Sequence, residues 1–482
     1  MNIKLVIRTI AILMLIIAGF LSIPMLLSLY YQEKGTFLPF FLVILSMLVL
    51  SSIVLRCIKK GQDSFLSTRD SFIVVTFSWI IFAFIGALPF YFSNAIPSFT
   101  DAYFEAMSGF TTTGATILNN IEILPKSILF WRALTHWLGG MGIVVLAVAI
   151  LPLLGMGGLQ LISVESPGPS VDRLTSKITE TAKILWFMYL GYTILETILL
   201  LFGGMTLFDA LTHTFATVST GGLSVKNSSI GHYNSAYIDI VITIFMLLSG
   251  FNFALQYKLF TGNLIEWKKN NECKVYLSIA VIATLLIAFN VQSIYHSFAQ
   301  SLRYASFQVV SILTTTGFTT VDYEKWPYFS QMIIFLLMCI GGCSGSTSGG
   351  VKVIRIVTLF KQFINELKYL LHPRGVFLLI VNGKVIKKDV VYAISGFCTL
   401  YIFLALVGTL LISTCNLNLT SSLSTALSML GNIGPGFDAI GPSHNVAFFP
   451  DYIKWFLSFL MMIGRLELYS VLVLFMPIFW RR

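Results

Sequence analysis

Apolar runs of roughly twenty residues recur along the chain, at 9–29, 38–56, 71–93, 184–203, 237–256 and 391–413. Each is long enough to cross a hydrocarbon core of about 30 Å as an α-helix. Polar interruptions of one particular kind punctuate this pattern, among them "TTTGAT" at 111–116 and "TTTGFTT" at 314–320. Small hydroxyl residues around a glycine make a poor helix and a poor packed core.

These interruptions belong to a repeat. "DAYFEAMSGFTTTGATI" (101–117), "DALTHTFATVSTGGLSV" (209–225), "LRYASFQVVSILTTTGFTTV" (302–321) and the more diverged "LSTALSMLGNIGPGFDAI" (423–440) each stand between apolar runs. Alignment on the glycine before a small or aromatic residue pairs Gly114, Gly222, Gly317 and Gly436. Each unit then reads as long helix, short segment, glycine turn, long helix. A segment such as 101–111 is only ~16 Å of helix, half the hydrocarbon thickness, so it enters and must return. Non-helical backbone at that depth is tolerated where protein or a watery cavity surrounds it. Four copies predict a fourfold pseudo-symmetric ring of re-entrant loops. Backbone carbonyls on its axis could replace the water of a dehydrated cation, with glycine supplying the φ > 0 geometry that aims them. The hydroxyls of Thr112, Thr220 and Thr315 could add oxygens at one end, and helix C-termini a partial negative charge.

Composition fixes the class. The 482 residues are 56% hydrophobic and 11% charged, with mean hydropathy +0.85, far from the quarter or so of charged residues usual in soluble domains. The net charge of +10 resides mostly in alternate connections: 4–8, 56–69, 173–183, 258–274, 352–388 and 481–482. That is the positive-inside pattern, with both termini cytoplasmic, and it accounts for the charge without a nucleic-acid partner. The first run exceeds a signal-peptide core and lacks a small-residue cleavage site, so it reads as a retained helix. The six cysteines form no C-x-x-C pair and read as core residues. His136, His213, His232, His296, His372 and His444 have no metal-site spacing, and no nucleophile–base pair suggests an enzyme.

A second glycine tract, "GGCSGSTSGG" at 341–350, follows only thirteen mostly apolar residues, Tyr328 to Ile340. Those span ~20 Å, too short to cross. The tract is therefore expected to break the second helix of repeat three inside the membrane and to line the pore. A phosphate-binding loop is excluded by Val351 where lysine is required. Arg465 lies deep in the last apolar run; it either projects into the pore or contacts the 341–350 tract, limiting cation entry or holding a gate shut, or else binds helix-end carbonyls of a neighbour. Glu467, two residues on, points elsewhere, and Glu105 is expected to pair locally.

The T-T-T-G, S-T-G-G, T-T-T-G and I-G-P-G tracts in this fourfold plan resemble the Trk/Ktr/HKT superfamily of potassium transporters. Two helices at about 5–30 and 38–57, and the stretch "GGCSGSTSGGVKVIR" at 341–355, resemble the Trk-type membrane subunit. The resemblance covers essentially the whole chain. It implies an all-α polytopic membrane protein with four pseudo-symmetric helix–pore loop–helix repeats around a central pore, plus two N-terminal transmembrane helices. The boundaries expected are 1–60 for those helices and 61–160, 161–262, 263–375 and 376–482 for the repeats. It implies a K⁺ filter at Thr112, Thr113, Gly114, Thr220, Gly221, Gly222, Thr315, Thr316, Gly317, Gly434, Pro435 and Gly436. Glycine at all four key positions favours potassium over sodium. A gate is implied at Gly341, Gly342, Gly345, Ser346, Thr347, Gly349 and Gly350, with Arg465. It also implies potassium uptake across the bacterial inner membrane, no organic cofactor in this chain, a homodimer, and control by a TrkA-like cytosolic ring of nucleotide-binding domains. Lys361–Lys388 is a candidate docking surface for that ring, although anionic lipid would explain the same charge. A Na⁺- or H⁺-coupled symporter is the alternative, with Glu105, Glu196 and Glu467 as its scarce acidic candidates.

Overall fold

The computed structural model describes residues 1–58, 66–140 and 178–481. The repeat boundaries at 60/61 and 160/161, with residues 59–65 and 173–177 of the basic segments 56–69 and 173–183, lie outside the described residues.

Two antiparallel neighbours open the chain, α1 (Ile3–Tyr30) and α2 (Phe37–Cys57). One face of α2 buries Phe40, Val43 and Met47, while Phe41, Leu45, Leu48 and Ile53 point outward. Such an apolar exterior suits lipid and not water. α3 (Thr68–Phe92) begins with a capping box in which Ser67 and Asp70 satisfy each other's backbone N–H groups. It leads into the short α4 (Phe99–Phe110) and then α5 (Lys126–Gly140). The second unit holds α6 (Ile178–Phe202), the short α7 (Leu207–Val218), α8 (Ala236–Ser249) and α9 (Phe253–Phe260). The third holds α10 (Asn271–Asn290), the short α11 (Phe298–Leu313), α12 (Tyr328–Met338) and α13 (Val353–Leu371). The fourth holds α14 (Lys388–Ser413), the short α15 (Leu419–Gly431), α16 (Asp451–Arg465) and α17 (Tyr469–Leu472).

The chain is thus an all-α, multi-pass membrane protein of four pseudo-symmetric repeats around a central pore. Its strands among the described residues are a two-residue hairpin, β1 (Ile380–Val381) with β2 (Lys384–Val385), turned by Asn382 and Gly383 at positive φ. Asn382 Oδ1 accepts from Asn271 N (2.8 Å), which seats the hairpin on the start of α10.

The short helices are the buried ones. Every residue of α4 from Ala102 onward is buried, as is every residue of α15 from Ser424 onward. Thr206 and Asn418 cap α7 and α15 through their side chains, and Ser98 caps α4. The long helices form the jacket around them.

Two expectations are corrected here. The run 237–256 is not one span: it breaks after Ser249, and α9 leaves at 103° to α8. The last apolar run likewise breaks after Arg465, turning by 111° into the helical turns at 469–475. Gly250 and Gly464 explain the positions. A Cβ on Gly464 would run into Leu430 O, and one on Gly250 would press on Tyr276 Oη at 2.6 Å. Each helix stops where it passes beneath the core.

Candidate functional site

Each short helix ends in the same way. Thr112, Thr220, Thr315 and Asn432 adopt left-handed φ values of 53°, 54°, 56° and 55°. Their N–H groups bond back three residues, to Gly109, Thr217, Ile312 and Met429. The next residues, Thr113, Gly221, Thr316 and Ile433, bond back five, to Ser108, Ala216, Ser311 and Ser428 at 2.8–2.9 Å. This is the Schellman C-cap, repeated four times. A glycine with φ of 82°, 79°, 81° or 97° follows: Gly114, Gly222, Gly317 and Gly434.

The fourth tract is therefore Asn432-Ile433-Gly434, and the equivalence with Gly436 is two residues out of register. Gly436 lacks the positive φ; its N–H donates to Ile440 O (2.7 Å) and its carbonyl accepts from Tyr323 Oη (2.6 Å). Pro435 stays at the site, with its Cδ facing Gly317.

The four glycines close a ring. A Cβ on Gly114 would fall on Gly221 O, one on Gly222 on Thr316 O, one on Gly317 on Ile433 O, and one on Gly434 at 2.6 Å from Thr113 O. Each tract thus leans on the carbonyl before the glycine of the next. All four glycines, with Pro435, also line one cavity of about 200 Å³ at the mouth. Arg132 reaches this cavity, but Glu105 binds its Nε at 2.5 Å. Glu105 also accepts from Thr116 Oγ1 and Ile117 N, the local pairing expected of it. The C-termini of four helices end at the ring, which places partial negative charge beside it.

The hydroxyls divide. Thr113 and Thr316 are tied sideways to Thr111 and Thr314 at 2.8 Å. Thr220 Oγ1 donates to Ser219 O, and Thr315 Oγ1 accepts from Gly349 N at 2.7 Å. Thr112 Oγ1 has no hydrogen-bond partner among the described residues. In the fourth tract Asn432 takes the threonine position and donates to Thr113 Oγ1 and Met461 O.

The 341–350 tract lies buried against the far side of this ring; only Gly345 is exposed. Thr347 Oγ1 donates to Val218 O (3.1 Å) and Ser249 O (3.2 Å). Gly349 bonds Thr315, and a Cβ on Gly349 would collide with Gly431 O. The tract therefore touches the second, third and fourth short-helix ends. Arg465 closes the circuit to the first repeat: Nη1 donates to Thr347 O (2.6 Å), and Nη2 to Gly139 O and Gly140 O (both 2.8 Å). Arg465 thus contacts both the tract and the helix-end carbonyls of a neighbour.

Three further residues fasten the tract without having been singled out for it in the sequence. Glu272 is buried and accepts from Ser344 N (2.6 Å) and Ile354 N (3.2 Å). Asn252 Nδ2 donates to Ser344 O (2.6 Å). Lys352 Nζ donates to Ser348 O and Oγ. Asn252 had one signal, an N-cap residue inside an apolar run; Glu272 looked like an ordinary first-turn acid. Glu467 pairs with Arg355, whose guanidinium also lies 3.8 Å from the Phe397 ring centroid.

Residues 39–481 match the family model for TrkH, a cation transport protein. The chain is similar to the Trk system potassium uptake protein TrkH of Salmonella typhimurium, at 39% identity with all of both chains covered. It is similar to the TrkG protein of Escherichia coli at 36% identity, covering 95% of this chain and 94% of TrkG. Among solved structures, the potassium transporter TrkH from Vibrio parahaemolyticus superposes with a TM-score of 0.88 at 36% identity, covering both chains fully.

Proposed function

The chain belongs to the TrkH family of Trk potassium uptake transporters, and on that premise we propose that it admits K⁺ across the bacterial inner membrane through the ring at Gly114, Gly222, Gly317 and Gly434. The single observation that carries this reading is the closed circle of four positive-φ glycines, each against the next tract's carbonyl. Oxygen-lined backbone of that kind can replace the hydration shell of a monovalent cation.

The 341–350 tract is the gate in this reading. It blocks the far side of the ring by its bonds to Val218 and Thr315, and Arg465 keeps it closed. Both termini face the cytoplasm, so the ring opens outward and the gate inward. Control comes from outside the chain, through a TrkA-like nucleotide-binding ring at the basic stretch Lys361–Lys388, and the working form is a homodimer. The chain carries out transport and no covalent chemistry, with K⁺ as cargo.

The deciding measurement is ⁸⁶Rb⁺ or K⁺ flux in proteoliposomes, with Na⁺ competition and a set membrane potential. Flux that follows the K⁺ electrochemical gradient supports the channel-like reading, and no K⁺ flux under any condition sinks it. In the same assay Gly317→Ser should weaken discrimination against Na⁺; its side chain would land on Ile433 O. A coupled carrier remains the second reading because of Glu196. Its carboxyl is fully buried in α6 beside the Thr217 hydroxyl, and a buried intramembrane carboxyl is a candidate proton carrier. Uphill K⁺ flux driven by a pH gradient, and lost in Glu196→Gln, would favour it.

A further inference from the structure

The residue preceding the ring glycine is Thr113, Gly221, Thr316 and Ile433 in turn, so the second tract alone has no side chain there. In the first and third tracts that side chain anchors the backbone by its bond to Thr111 or Thr314, and Ile433 is fully buried. At Gly221 the space is already taken. A Cβ built there would lie 2.6 Å from both Cγ and Cε1 of His136, and closer still to Nδ1. His136 stands on α5, fully buried, with its ring facing the Ser108 backbone at the end of the first short helix. It stands at the seam between the first two repeats, against Gly221 of the second. One turn further on, a Cβ at Gly139 would run into Phe110 O, and at Gly140 one would meet Ser219.

We propose that His136 is a positioning residue for K⁺ selectivity, its ring supplying from a neighbouring repeat the support that Gly221 cannot give its own tract. This rests on the filter reading above. The physical need is specific to this tract. Gly221 and Gly222 are consecutive glycines, the most conformationally free dipeptide available, at a point where carbonyl direction decides which ion is accommodated. A ring packed against the Gly221 peptide removes that freedom.

A double-mutant cycle tests this. His136→Ala should keep the assembled protein but lower K⁺/Na⁺ discrimination about tenfold in reconstituted Rb⁺ flux with Na⁺ competition. Gly221→Thr alone should lose flux, because its side chain meets the ring. The combined variant should regain discrimination: a threonine at 221 can reach the Ser219 hydroxyl as Thr113 reaches Thr111 and Thr316 reaches Thr314. Size-exclusion profiles monitor folding, and if His136→Ala alone does not assemble, the combined variant decides. Wild-type discrimination in an assembled His136→Ala, or a combined variant no better than the worse single one, overturns the proposal. Gly317→Ser, run in parallel, separates the two readings. If it keeps full selectivity, the filter reading itself fails; if it loses selectivity while His136→Ala does not, only the role of His136 fails.

Discussion

At the scale of single residues, the ring is a set of conformations that sequence reasoning could not register. Three threonines hold φ near +55°, a region in which β-branched residues are outliers costing of order 1–3 kcal/mol each. Such strain survives where the surroundings over-determine it, and here the Schellman bonds and the adjoining tract do so. The chain's composition announced the first three tracts, because three T-G or G-G patterns repeat after a short apolar helix. It misled in the fourth, which offers glycine at 434 and at 436. Alignment on the glycine before an aromatic residue chose 436; only backbone geometry separates the two. A clear test follows. Gly434→Ser would force a side chain into φ 97° and onto Thr113 O, and should abolish selective uptake. Gly436→Ser meets chiefly the Ile440 side chain, which can shift, and should retain most of the Rb⁺ flux. Equal damage from both would restore the original register.

At the scale of elements, the helices that follow the ring matter most. Sequence length alone exposed the break after α12, since 328–340 is too short to cross and 341–350 is rich in glycine and serine. The breaks after α8 and α16 were hidden, because Phe251 and Leu466 continue the apolar run on either side of Gly250 and Gly464. What makes the broken segment of repeat three hold its shape is a set of side-chain caps on its free amides. Glu272 accepts from Ser344 N and Ile354 N, and so ties the tract and the start of α13 to α10. Removing one partner of a buried bond leaves the other unsatisfied, at about 1–3 kcal/mol. Glu272→Ala should therefore speed amide hydrogen exchange across 342–354 and raise basal Rb⁺ flux through the proposed gate. Exchange rates unchanged from wild type would remove Glu272 from its support.

At the scale of the whole molecule, the fourfold symmetry is broken on the far side of the ring as well as within it. Among the described residues, repeat three alone inserts a glycine–serine stretch there, and repeat four contributes the arginine that reaches it. Arg465 binds carbonyls of Thr347, Gly139 and Gly140, joining repeats one, three and four across the pore axis. A guanidinium has donors enough to serve several acceptors at once, and burying it is tolerable because it is so well satisfied. In the proposed reading the same positive charge opposes a cation arriving from the ring. In the proposed reading selection and closure occupy separate layers, and one substitution should disturb one without the other. Arg465→Ala leaves every ring glycine in place but frees three carbonyls and removes the charge. Rb⁺ flux should rise at equal expression while K⁺/Na⁺ discrimination stays at the wild-type value. Gly317→Ser should do the reverse, altering discrimination without releasing the 341–350 tract. If Arg465→Ala changed selectivity and left flux untouched, the two layers would not be separate, and the tract beneath the ring would have to be read as part of the filter.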